Sequence, residues 1–129
     1  MKRPRWIDAR VLLLLHAETL AEHGGLSGVR DVAALESALA RPQNLYAYEK
    51  ADLARLAAAY ALGIIRNHPF TDGNNRAGFL AAGLFLALNG FDLVSDQVEA
   101  VQSIMRVAAR DMSEKILAEW IRAHSVSLK

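Results

Sequence analysis

The chain has 129 residues, 53% of them hydrophobic, which predicts one domain, residues 1–129, with a core that needs neither disulfides nor a structural metal. Lys and Arg number 15 against 14 Asp and Glu, so a net charge of +1 supplies no field that would draw the chain to nucleic acid or to an anionic membrane. The absence of cysteine excludes disulfides, thiolate metal sites and a cysteine nucleophile together, and it fits a cytoplasmic location.

The start, Met1-Lys2-Arg3-Pro4-Arg5, followed by Val11 to Leu15, has the outline of a signal peptide. Asp8 and Arg10 interrupt it and the apolar run ends at His16, so it reads as an ordinary first helix. The uncharged stretch from Ala77 to Leu88 falls well short of the roughly 20 residues that cross a bilayer. Apolar positions recur at three- and four-residue spacing almost everywhere, and strand-like alternation is confined to Phe91-Asp92-Leu93-Val94. The predicted fold is all-α, a compact bundle of about six helices around a central helix-loop-helix.

In chain order, the first helix runs from an N-cap at Asp8 to His23, where Gly24-Gly25 stop it. A loop from Leu26 to Arg30 follows. Asp31 caps a second helix expected to reach about Ala40, before Arg41-Pro42-Gln43-Asn44 breaks it. Asp52 opens a third, with an inward stripe through Leu53, Ala57, Tyr60 and Ile64 to His68. Pro69 denies His68 a helical conformation, and the chain turns through Phe70-Thr71-Asp72-Gly73. The fourth helix starts near Asn74 and ends at Asn89-Gly90; its Gly78, Ala81, Ala82 and Gly83 admit a close neighbour. Asp96 and Glu99 have capping-box spacing before a fifth helix that ends around Arg110, and Ser113 caps a sixth through about His124.

The chemistry gathers in His68-Pro69-Phe70-Thr71-Asp72-Gly73-Asn74-Asn75-Arg76. The helix start after Gly73 leaves several backbone N–H groups without partners at the positive end of a dipole, which favours an anion, although every helix start shares this property. Arg76 is a cation in that first turn. Either a bound phosphate compensates it, meeting the guanidinium fork and the N–H groups at once, or it pairs with a carboxylate such as Asp72. Asp72 is either the N-cap or, beside phosphates, a magnesium ligand. His68 is either a helix-end histidine with a local partner or a base that takes a proton from a hydroxyl. Phe70 reads as an apolar anchor. A base, a magnesium-type carboxylate and a phosphate cradle in one short segment are the parts for transfer of a phosphoryl or nucleotidyl group. His16, His23 and His124 form no HExxH and read as surface or buried structural residues, and the scattered Trp6, Tyr46, Tyr48 and Trp120 form no base-stacking platform.

The segment from His68 to Arg76 resembles the signature of the Fic/Doc family, His-x-Phe-x-Asp/Glu-Gly/Ala-Asn-Lys/Gly-Arg. Leu15-His16-Ala17-Glu18, His23-Gly24-Gly25, Gly28-Val29-Arg30-Asp31, Leu35-Glu36-Ser37-Ala38 and Asn89-Gly90 are similar to its death-on-curing (Doc) branch. The resemblance implies the Fic fold, ATP or another nucleoside triphosphate with Mg2+, and a target hydroxyl on a protein. It makes His68 the catalytic base and Asp72 the metal ligand. Arg76, Asn74, Asn75 and Gly73 would hold phosphates, with Arg66 a further basic residue beside them. In the Doc branch it implies phosphate transfer to translation elongation factor Tu and silencing by a small antitoxin with a disordered tail.

Asn75 departs from the pattern, standing where Doc proteins have lysine and AMP-transferring Fic enzymes usually have glycine. Transfer of AMP, or a catalytically weakened binding module, are therefore alternatives to phosphate transfer. Ser95 to Glu99 is the nearest approach to the internal inhibitory helix of some Fic proteins, and the Ala100 that follows does not complete it.

Overall fold

A computed structural model describes residues 3–128. Within them run α1 (Ala9–His23), α2 (Val32–Glu49), α3 (Leu53–Asn67), α4 (Asn74–Leu88), β1 (Phe91–Leu93), α5 (Gln97–Ala108), α6 (Glu114–Ala123) and β2 (Ser125–Ser127). Met1 and Lys2, the charged start of the leader-like stretch, lie outside the described residues. The fold is all-α, and no helix among the described residues is long and apolar enough to cross a membrane.

Five of these helices begin the same way. Asp8, Asp31, Asp52, Asp96 and Ser113 each lie in extended backbone one residue ahead of a helix, and each side chain accepts an N–H from the first turn. That bond satisfies one of the donors every helix start leaves free. The capping box expected at α5 is only half made. Asp96 accepts from Val98, but the Glu99 carboxylate turns to α6, accepting from Trp120 Nε1 at 3.2 Å and lying 3.3 Å from His124 Nε2.

Helix α3 is the centre of the bundle. Its run of Ala and Leu is strongly helix-forming and carries no polar face between Leu56 and Ile65, so it is buried on all sides, not along one stripe. The stripe expected to end at His68 ends instead at Ile64 and Ile65. His68 is exposed: Pro69 disfavours a right-handed helical conformation there, His68 takes the left-handed one as the C-cap, φ 49°, and the chain has already left the helix.

The break expected at Pro42 does not occur, and α2 continues to Glu49. Leu35, Ala38 and Pro42 form one buried stripe, and α3 approaches closely beneath it. A Cβ placed on Gly63 would lie 3.3 Å from the Ala38 Cα and 3.6 Å from its carbonyl oxygen. Packing along this face offsets a mid-helix proline, which costs about 3 kcal/mol. Gly78 of α4 does bring that helix against α3 as expected, whereas Gly83 faces open space. The strand-like Phe91-Asp92-Leu93 is β1, paired antiparallel with β2, with Asp92 opposite Val126.

Candidate active site

The loop between α3 and α4 is built by residues from three directions. From below, α1 presents a buried face of Leu12, His16, Thr19 and Leu20. The His16 ring lies 3.8 Å from that of Phe70, nearly parallel, and its Nε2 is 2.7 Å from the Asp72 carbonyl oxygen. From the side, the segment after α1 runs along the loop. Val29 and Phe70 form an antiparallel bridge, Thr71 N–H donates to the Gly28 carbonyl, and the Arg30 and Asp31 N–H groups donate to the Pro69 carbonyl. The Arg30 guanidinium donates to the His68 and Asn67 carbonyls, closing the end of α3 where the backbone acceptors of a helix go unpaired. From within, Asn74 makes a reciprocal pair with Phe70, accepting its N–H at 2.9 Å and donating to its carbonyl at 3.0 Å.

These bonds assign each predicted site residue a place. His68 is exposed and its imidazole has no partner among the described residues. Asp72 is half-buried; its Oδ2 accepts from the Leu26 N–H at 2.7 Å and its Oδ1 is unpaired. It is not the N-cap, since Gly73, in the left-handed conformation, holds that position and α4 has no side-chain cap. The N–H groups of Gly73, Asn74, Asn75 and Arg76 consequently have no acceptor among the described residues. The expected alternative partner of Arg76, Asp72, does not pair with it, and both Asn75 and Arg76 are exposed with free side chains.

Two of the expected phosphate contacts are placed differently. The Asn74 side chain is buried and fully used on Phe70, leaving only its N–H at the helix start. Arg66 donates to the Met112 carbonyl at 3.0 Å, a bond to the link between α5 and α6. A magnesium ion held only by protein is not on offer, for no group of three His, Cys, Asp or Glu converges among the described residues. The fit is to a phosphate-bound ion: one free carboxylate oxygen on Asp72 beside a helix start, the remaining ligands being phosphate and water.

Sequence reasoning missed His16 and Arg30 as builders of this loop. The signal for His16 was present, since it lies at the fourth position between Leu12 and Leu20 on an apolar helix face, and a buried imidazole there needs a partner.

One short segment thus carries an exposed imidazole, a half-free carboxylate and an uncapped, arginine-bearing helix start. The family model described as the Fic/DOC family matches residues 6–86, which run from the Trp6 segment through most of α4 and include this whole loop. The chain is 40% identical over 103 residues to Toxin Doc of Mycolicibacterium smegmatis (strain ATCC 700084 / mc(2)155), a match covering 74% of this chain and 78% of that protein. Loop, helix start and the elements that brace them fall within the matched region, and the chain belongs to the Fic/DOC family.

Proposed function

We propose that this chain is a Doc-type toxin of a toxin–antitoxin pair, an enzyme that moves phosphate from a nucleoside triphosphate to a Ser or Thr hydroxyl of a cytoplasmic protein, translation elongation factor Tu. The observation that carries the reading is the bare start of α4, with four free N–H groups and an unpaired Arg76 where every other helix among the described residues has a side-chain cap. The likeness to Toxin Doc supports the toxin part of it.

Phosphate oxygens bind to the N–H groups of Gly73 to Arg76 and to the Arg76 guanidinium through charge-assisted bonds. Asp72, whose Oδ1 is left free by the bond from Leu26 to Oδ2, would hold magnesium, which would offset charge on the phosphates. His68 accepts the proton of the target hydroxyl as its oxygen bonds to phosphorus and the bond to the leaving diphosphate breaks. Its exposure suits a hydroxyl that arrives on another protein. A small antitoxin whose disordered tail folds on binding silences the enzyme.

Asn75 is exposed and supplies neither the charge of lysine nor the empty space of glycine, so transfer of AMP and a catalytically weakened binding module stand as the alternative readings. The test is incubation with elongation factor Tu and ATP labelled at the γ or the α phosphate. Label transferred from γ alone is expected, and label from α alone replaces phosphate transfer by AMP transfer. No label from either, together with γ label once Asn75→Lys is made, marks the chain as a weakened binding module.

A further inference from the structure

We infer that His16, which takes no part in the proposed chemistry, is a positioning residue that sets the Asp72–Gly73 peptide so that the Gly73 N–H joins the anion-binding end of α4; the inference rests on that end being a phosphate site. His16 is 3% exposed, and its Nε2 lies 2.7 Å from the Asp72 carbonyl oxygen. A carbonyl only accepts, so Nε2 carries the proton and donates it. The near-parallel ring of Phe70, 3.8 Å away, fixes the plane in which that donor points.

The consequence follows from peptide geometry. No peptide bond among the described residues is cis, and in a trans peptide the C=O and the N–H point in opposite directions. With the Asp72 carbonyl drawn in to the buried imidazole, the Gly73 N–H is turned outward, and it has no acceptor among the described residues. Gly73 accommodates this with φ 73°, and a Cβ there would come within 3.4 Å of His16 Nε2 and 3.3 Å of Leu20 Cδ2. Without the His16 donor, the Asp72 carbonyl loses its partner and the peptide is free to rotate, withdrawing the Gly73 N–H from its neighbours. Asp72 is thus held twice, by α1 through its main chain and by Leu26 through its carboxylate.

The test compares wild type with His16→Phe, which keeps a ring against Phe70 and loses the donor, and His16→Gln, which keeps a donor. Amide resonances of Gly73 to Arg76 are recorded by NMR, thermal unfolding confirms the fold, and calorimetry measures affinity for ATP with magnesium. His16→Phe is expected to displace the Gly73 amide resonance and weaken MgATP binding about tenfold, the worth of one charge-assisted hydrogen bond, and His16→Gln to restore most of it. A folded His16→Phe protein whose Gly73 to Arg76 amides match wild type overturns the inference, whatever the nucleotide does. Wild type itself gives a check that no misfolding can confuse: the His16 ring proton is expected on Nε2, and a ring protonated on Nδ1 alone overturns the inference equally. Displaced amides in a protein whose wild type binds no MgATP remove the phosphate reading of the α4 start and leave His16 as its positioning residue.

Discussion

Arg76 places a full positive charge in the first turn of α4, where the aligned peptide dipoles are already positive, and no carboxylate pairs with it among the described residues. Such a placement weakens folding by about 0.3–1 kcal/mol, and only an anion gives it a use. Arg76→Ala is therefore expected to raise stability within that range while weakening MgATP binding about tenfold or more, since a charge-assisted hydrogen bond contributes about 1.5–3 kcal/mol. Denaturant unfolding and calorimetry on the same samples read both; unchanged affinity, or a loss of stability, removes Arg76 from the phosphate site. At this scale the residue types were legible and their directions less so. His68, Asp72 and Arg76 could be singled out from charge, chain breaks and helix start alone. Asn74 could not be placed, because the first position of a helix can turn its side chain either outward to a ligand or back to the loop, and here Phe70 takes both its groups. Arg66 could not be placed either: it lies in the last turn of α3, and its partner, the Met112 carbonyl, is 46 positions away in the link between α5 and α6.

Between elements, contact distance decides what the helix pattern cannot. Gly78 and Gly83 lie on the same helix and look alike in sequence. A Cβ on Gly78 would come 2.6 Å from Ile65 Cγ1 and 3.0 Å from the Ala61 carbonyl oxygen, whereas nothing lies within 4 Å of one on Gly83. Gly78→Ala is expected to destabilise by about 1–3 kcal/mol, because α3 and α4 must separate against a backbone atom, despite the better helix propensity of alanine. Gly83→Ala gains that propensity with no clash and is expected to stabilise by about 0.5–1 kcal/mol. Thermal unfolding of the two single variants checks both signs; equal shifts show that the α3–α4 crossing is looser than these distances. The helix starts were legible for a related reason. An Asp or Ser at an N-cap acts through its own first turn, and Asp8, Asp31, Asp52, Asp96 and Ser113 do so. Long-range packing was not legible. Pro42 stays inside α2 on a buried face that packs closely on α3, where Gly63 meets Ala38, and Ser125–Ser127 becomes a strand because Phe91–Leu93 is there to pair with it.

For the molecule as a whole, Tyr60 joins the segment before α1 to the centre of α3. Its side chain is fully buried, its ring lies 5.2 Å from Phe85, which stacks with Trp6, and its hydroxyl oxygen accepts the Ile7 N–H at 3.1 Å. Burial raises the Tyr60 pKa above the ordinary phenol value of 10.0, and the bond from Ile7 opposes this only in part. The folded state therefore keeps the phenol proton more tightly than the unfolded chain does. The stability linked to it is fully present below pH 10.0 and is lost as pH rises through the higher folded value. Tyr60→Phe separates this from the hydrogen bond. At pH 7 the variant is expected to lose about 1–3 kcal/mol, because the Ile7 N–H stays buried without its acceptor. Above pH 10.0 its stability is expected to fall less steeply than that of wild type, because the group whose ionisation opposes folding is gone. Denaturant unfolding of both proteins at pH 7 and at two values above 10.0 measures the two effects on one axis. Parallel pH profiles would show that Tyr60 ionises as readily inside the bundle as outside it, and so that the segment before α1 is not sealed over the core.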